Sequence, residues 1–247
     1  MRRLLPDPGP LDDAALADAY AFPGARWLRV NFVASLDGVV AVEGRSGALG
    51  SPGDLRIFQL LRALADVVLV GWGTASVEGY RLVAPESPVG RLRARLGRPD
   101  VLPIAVVSRR ASLSVGDMLA AAPTILVTSE HSDPERRKAL EDVGVRVLIC
   151  GEDDVDLPLA LERMSELGLG RVTCEGGPQL LRAALAAGVV DELDLTIAPA
   201  LAGTGTRLMG EAALPELVRP RLEQVLEEDG VLFTRYSPGP WHPRTRE

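Results

Sequence analysis

The run RVTCEGGPQLLRAALAAGVVDELDLTIAPAL, residues 171–201, constrains the fold more than any other part of the chain. It reads as strand, glycine turn, helix and strand. Arg171 to Cys174 is extended, and Gly176-Gly177 makes a turn that accepts unusual backbone angles and close approach. Pro178 suits the first turn of a helix, where its missing N–H costs nothing. Leu180, Leu181, Ala184 and Leu185 share one helical stripe, Gly188 ends it, and Leu193 to Ala198 is extended again. A glycine turn that opens a helix presents free N–H groups and about half a positive charge, which suits a phosphate. The same residues also make an ordinary tight turn of an α/β protein.

A second segment repeats this design. Asp66 to Gly71 is an apolar run of the kind found in a parallel strand buried on both faces. It flows into Gly71-Trp72-Gly73-Thr74-Ala75-Ser76, which carries serine where the dinucleotide fingerprint has its third glycine. As a Rossmann signature it fails; as a strand–glycine–helix turn it stands. Two further strands end on polar residues. Trp27 to Ser35 leads into Ser35-Leu36-Asp37-Gly38, and Leu102 to Val107 ends in Ser108-Arg109-Arg110. Asp37 could equally form an Asx turn, and Ser108 with Arg109 either holds a phosphate or lies in a solvated loop.

Between these turns the chain alternates strand and helix. Ser51 caps a helix with Pro52 in its first turn and Asp54 at the capping-box position. Ile57, Leu60, Leu61 and Leu64 form its apolar stripe, with Arg56 and Arg62 off it and at least one of the two read as lying on a solvated face. Residues 87–98 read as an arginine-rich surface helix or loop. Strands follow at 124–128 and 145–149, with helices at 133–142 and 158–167. The loop LAGTGTRLMG reads as irregular, and LEQVLEEDGVLFTRY closes the core as a hairpin turning at Asp229-Gly230. The expected fold is α/β: a mostly parallel central sheet flanked by helices, with an antiparallel C-terminal hairpin. In such sheets ligands bind beyond the carboxyl ends of the strands, so the four polar or glycine clusters should converge on one cleft.

Composition narrows the chemistry. Lys138 is the only lysine and lies in a polar helical run, which excludes a Walker loop and Schiff-base chemistry. His131 and His242 are the only histidines, in a loop and in the tail, so neither a zinc centre nor a Ser-His-Asp triad has its central residue. No metal is expected, and Cys150 and Cys174 read as buried thiols. A net charge of −7 without a basic tract argues against nucleic acid. The start MRRLLPDPGPLDD lacks the apolar core of a signal peptide, and no apolar run would span a bilayer, so a cytoplasmic protein is expected. What remains is chemistry performed by a bound cofactor.

N-F-V-A-S-L-D-G at 31–38, S-P-x-D-x-R-x-F at 51–58, L-R-A at 61–63, V-G-x-G-T at 70–74, E-G-G-P-x-L at 175–180 and V-D-E-L…A-P at 190–199 occur in this order. The set resembles the pyrimidine reductase of riboflavin biosynthesis, the C-terminal reductase domain of the bifunctional deaminase–reductase, over residues 27–236. The resemblance implies a dihydrofolate-reductase-like fold and reduction of 5-amino-6-ribosylaminouracil 5′-phosphate by NADPH, with hydride delivered to C1 of the opened ribose. It implies a stand-alone reductase, since neither H-x-E nor P-C-x-x-C of the deaminase occurs.

By the same resemblance Gly71, Gly73, Thr74, Glu175, Gly176, Gly177 and Leu180 line the cofactor, and Ser108 and Arg109 lie near its 2′-phosphate. Asn31, Ser35 and Asp37 face the substrate, with Asp37 as the catalytic group that orients or protonates it, and Ser51, Arg56 and Arg81 are candidates for its pyrimidine–ribose-phosphate end. The family's D-D-P-x-L-T-x-R is here Val77-Glu78-Gly79-Tyr80-Arg81, and Trp72 replaces a small residue. The remaining expectations are an N-terminal extension over 1–26 with a short helix, a reductase domain over 27–236, a polar tail over 237–247 and a homodimer. A pterin or dihydrofolate reductase and a non-catalytic NADP-binding paralogue are the alternatives.

Overall fold

The computed structural model describes residues 1–210, 214 and 217–238. In chain order it has β1 (Arg2–Leu5), β2 (Gly9–Pro10), α1 (Asp13–Ala19), β3 (Trp27–Ala34), β4 (Val39–Ala41), α2 (Pro52–Leu64), β5 (Val67–Gly71), α3 (Trp72–Glu78) and α4 (Pro88–Arg95). These are followed by β6 (Ile104–Val107), β7 (Ile125–Thr128), α5 (Pro134–Asp142), β8 (Arg146–Ile149), α6 (Leu157–Glu166), β9 (Arg171–Cys174) and α7 (Pro178–Ala186). The chain closes with β10 (Glu192–Ile197), β11 (Thr206–Arg207), β12 (Arg221–Glu228) and β13 (Val231–Ser237). No described helix is long and apolar enough to cross a membrane.

Among the described residues one sheet of eleven strands runs β2-β1-β12-β13-β10-β3-β9-β5-β6-β7-β8. From β10 to β8 every neighbouring pair is parallel, while β13, β12, β1 and β2 add antiparallel pairs at one side. The α/β class, the parallel centre and the closing hairpin are as the strand pattern predicts. The physical reason is plain in β5, where Val67, Val68, Leu69 and Val70 are all buried. Apolar side chains on both sides of a strand demand cover on both faces, which only crossover helices supply. Leu180, Leu181 and Ala184 of α7 pack with Ala160 and Met164 of α6 in one core cluster; Ala63, Ala75 and Leu140 belong to another.

Helix α2 docks through Ile57, Leu60 and Leu61, each at most 4% exposed and each contributing about 1.5–3 kcal/mol by burial. The sequence signals of its start hold: Ser51 Oγ accepts from the Asp54 N–H at 3.0 Å. Its end depends on Arg93, which corrects the reading of residues 87–98 as a surface segment. That side chain is buried, and its guanidinium donates to the carbonyls of Ala63, Ala65, Pro99 and Val101. It satisfies acceptors that the last turn of α2 leaves open.

Residues 1–26 hold the expected helix, shorter than the pattern suggests, and also two strands that the sequence did not signal. β1 pairs antiparallel with β12 and covers that edge of the hairpin. The segment after α1 is fastened by Arg29, whose Nη2 donates to the Tyr20 carbonyl at 2.9 Å and whose guanidinium stacks 4.3 Å over the Phe22 ring. The loop after β10 is less irregular than its composition implies, because β11 pairs with β4. Of the polar tail, residues 239–247 lie outside the described residues. Both cysteines are buried and free.

Candidate functional site

Because β3, β9, β5 and β6 are parallel neighbours, the clusters that follow them reach the same edge of the sheet. A cavity of about 720 Å³ opens there, within the size range of small-molecule sites. Asn31 of β3, Gly73 and Thr74 of α3, Arg81, Glu175 and Gly177 line it, so six of the candidate residues meet in one place.

One wall is bare backbone. The Gly71 N–H donates to the Gly176 carbonyl at 2.7 Å, tying the end of β5 to the turn after β9. Gly176 has φ +79°, and a Cβ there would lie 2.4 Å from the Phe32 ring. A Cβ on Gly177 would lie 2.4 Å from Thr74 Oγ1, whereas one on Gly73 would meet nothing within 4 Å. The peptide between Gly176 and Gly177 is cis. Gly177 caps α7 without any side-chain hydrogen bond, while Asp12, Ser51, Ser87, Asp133 and Asp156 cap α1, α2, α4, α5 and α6 with theirs. The first N–H groups of α7 are therefore left for a ligand, and the absent Cβ atoms leave room for it. These residues fit the pyrophosphate of a dinucleotide.

The lining beside this turn carries charge. Glu175 is buried, and Arg62 meets it through two hydrogen bonds of 2.7 Å, Nε to Oε1 and Nη2 to Oε2. The Tyr80 hydroxyl donates to Glu175 Oε2 at 2.5 Å. The Arg62 guanidinium lies 4.3 Å from the Phe58 ring centre and 5.0 Å from that of Tyr80. Burial works against the charge on Arg62, but the Glu175 carboxylate outweighs it and raises the arginine's pKa. Burial and the same carboxylate push the Tyr80 phenol well above its usual range, so it stays a donor. Of the two arginines off the apolar stripe of α2, Arg62 is thus the one drawn inward, while Arg56 stays part-exposed. The arginine–glutamate pair also gives Glu175 a duty: it anchors the turn of the glycine wall to α2. Arg81 is different. It is exposed at the cavity, and among the described residues it makes no ion pair.

The other candidates lie off the lining. Ser35 is buried; its hydroxyl donates to Asp37 Oδ1 at 2.6 Å and accepts from the Val39 N–H at 3.0 Å. Asp37 also accepts from the N–H groups of Ala202 and Gly203 at 3.0 and 2.7 Å. The Ser35 hydroxyl first, then these two amides, hold its carboxyl well below the usual range. A carboxylate so stabilised is a clasp for the 198–210 loop and a poor proton donor, which is a physical case against the catalytic role expected for it. Ser51 Oγ accepts the capping hydrogen bond of α2 and lies off the lining, and Arg56 turns away to Glu228 at 2.9 Å. Leu180 is a core side chain whose backbone alone lies in the first turn of α7. Ser108 accepts from the Ser112 N–H at 2.8 Å within its own turn. Arg109 is exposed, its carbonyl held by Thr128 and Ser129 hydroxyls and its guanidinium without an ion pair among the described residues.

Sequence reasoning missed Asp54 and Tyr80 as cavity residues. The pattern of Asp54 signals only a helix start, yet the residue is part of the cavity lining. For Tyr80 the available signal was its place in the segment that departs from the family pattern.

Comparison with known proteins agrees with this architecture. The RibD C-terminal domain family matches residues 26–230. The 2,5-diamino-6-ribosylamino-4(3H)-pyrimidinone 5′-phosphate reductase of Archaeoglobus fulgidus is 30% identical over 204 residues, 80% of this chain and 93% of the relative. The protein of the same name from Methanothermobacter thermautotrophicus is 32% identical over 174 residues, 70% of this chain and 78% of its own length. The crystal structure of a pyrimidine reductase-like protein from Corynebacterium diphtheriae superposes with a TM-score of 0.75 at 27% identity, covering 86% of this chain and 91% of that one. With the family matched across its parallel sheet and both glycine turns, the chain is a member of the RibD C-terminal domain family.

Proposed function

We propose that the chain reduces a ribosylaminopyrimidine 5′-phosphate of riboflavin biosynthesis with NADPH. The observation that carries the reading is one cavity lined by the glycine turn at the uncapped start of α7, by Gly73 and Thr74, and also by Asn31 and by Arg81, which makes no ion pair among the described residues. The relatives' names support the substrate class, a pyrimidine that carries a ribosylamine and a 5′-phosphate.

When bound, the reduced nicotinamide supplies a hydride. The chain's own residues do the positioning. The N–H groups at the start of α7 hold the pyrophosphate, and Gly73 and Gly177 keep that surface free of side chains. Arg109, at the carboxyl end of β6, serves the 2′-phosphate that distinguishes NADPH. Arg81 takes the substrate's 5′-phosphate, and the Asn31 amide faces its polar edge. Arg62 and Tyr80 hold Glu175 and the glycine turn at a fixed distance from α2. Assembly as a homodimer belongs to the same reading, and light scattering at micromolar concentration tests it.

The deciding experiment follows NADPH oxidation by the purified protein with three substrates in parallel. These are the 2,5-diamino-pyrimidinone, the 5-amino-uracil and, as control, dihydrofolate. Turnover of either pyrimidine phosphate supports the reading, and turnover of dihydrofolate alone overturns it.

A further inference from the structure

Reducing a carbon–nitrogen double bond takes a hydride to carbon and a proton to nitrogen, and three carboxyl groups line the cavity that could serve the second delivery. Two are committed. Glu175 is held by Arg62 and Tyr80, and Glu78 accepts from the Ser46 N–H at 2.8 Å. Asp54 is the third. It stands in the first turn of α2 at the carboxyl edge of the sheet, with Asn31 and Phe58 beside it on the lining. Its backbone is fixed by Ser51, and among the described residues no cationic side chain forms an ion pair with its carboxyl.

We propose that Asp54 is the acid that protonates the ribosylamine nitrogen as hydride reaches C1 of the substrate. This rests on the reductase reading above. The C–H bond forms with the hydride of the reduced nicotinamide, which is oxidised, and the imine is reduced. The π pair of C=N takes the proton, the Asp54 O–H bond breaks, and the carboxylate regains a proton from solvent through the open cavity. The product is a secondary amine.

The surroundings suit an acid. Burial raises the Asp54 carboxyl above its usual range, offset in part by a hydrogen bond with the Thr196 side chain. The charged and titratable groups around it are Arg62, Glu175 and Tyr80 in the cavity wall and Glu78 and Arg81 on the side of α3. Arg56 with Glu228 lies behind Gly53, and Asp194 lies two residues before Thr196 on β10. A proton donor works best when its pKa approaches the working pH, and a part-buried carboxyl with no ion-pair partner among the described residues is a direct way to that condition.

The test compares wild type, Asp54→Asn and Asp54→Glu in kcat, KM, NADPH affinity by fluorescence, thermal unfolding and the pH dependence of kcat. Asp54→Asn should lower kcat at least 100-fold, with KM and NADPH affinity changed less than threefold and unfolding within a few degrees. Asp54→Glu should recover at least tenfold of that loss. The wild-type kcat should fall as pH rises through the range where the acid ionises, and the residual Asp54→Asn rate should lack that limb. An active wild type whose Asp54→Asn variant keeps a third of its kcat, or keeps the limb, overturns this inference alone. A wild type inert towards both pyrimidine phosphates overturns the reductase reading and this inference with it.

Discussion

Arg62 and Glu175 face each other through two parallel hydrogen bonds of 2.7 Å, joining helix α2 to the glycine turn 113 residues further along the chain. The carboxylate side chain is 3% exposed and the guanidinium 14%. Arg62→Ala leaves that carboxylate buried without its cation, which costs about 3–5 kcal/mol. Urea unfolding should show the loss as a lower midpoint. Arg62→Lys should recover only part of it, because a point charge cannot replace a planar fork. Equal stability of wild type and Arg62→Ala would mean that the pair does not brace the cavity wall.

How much of this was legible in the sequence depends on whether a residue's role is local. The parallel strands were, since Val67 to Val70 can be satisfied only inside a sheet covered on both faces. So were the helix starts, where Ser51 and Pro52 act on their own neighbours. The bracing arginines were not. Arg62 lies beside an apolar stripe and Arg93 in an arginine-rich run, and their partners, Glu175 and the carbonyls at the end of α2, come from distant or unmarked positions. The clasp formed by Asp37 was hidden for a related reason. An Asp-Gly after a strand looks the same whether it points into a cleft or holds a loop, and Ala202 and Gly203 decide the matter from far along the chain.

Gly73→Ala separates binding from folding. The residue lies in α3, and a Cβ there would meet no atom within 4 Å, so the folded protein accepts it. Replacing a helical glycine at an unstrained position stabilises by about 0.4–1 kcal/mol. The methyl group would nonetheless occupy the surface assigned to the dinucleotide. NADPH affinity should fall at least tenfold by fluorescence titration while the melting temperature holds or rises. Unchanged affinity would remove Gly73 from the cradle.

Asp37 should make the protein acid-sensitive. Its folded pKa is depressed, by the Ser35 hydroxyl first and then by the Ala202 and Gly203 amides. A depressed carboxyl contributes stability above its unfolded pKa of about 3.9 and loses that contribution as pH falls through this value towards the lower folded one. Asp37→Asn should be less stable than wild type at pH 7, and the gap should narrow as pH falls below about 4. Urea unfolding at several pH values measures it. A gap of constant size would mean that the amides contribute nothing to the ionised form.

On the proposed reading, Arg109 is the residue that sets the choice between NADPH and NADH. It follows β6, one strand beyond the end of β5 where the glycine wall begins, and its side chain is exposed with no ion pair among the described residues. Neighbouring Ser108 accepts from the Ser112 N–H, which fixes its oxygen in the turn, and its neutral hydroxyl offers an anion one hydrogen bond and no charge. A guanidinium grips a phosphate monoester through paired, charge-assisted hydrogen bonds and offers far less to a bare ribose hydroxyl. Arg109→Ala should therefore raise the KM for NADPH at least tenfold while changing that for NADH less than threefold. The preference for NADPH should also weaken as salt is added, since an exposed ion pair is screened. Equal losses for both nucleotides would move the 2′-phosphate away from Arg109, and Arg110, the next exposed guanidinium of the same turn, would be the variant to measure next.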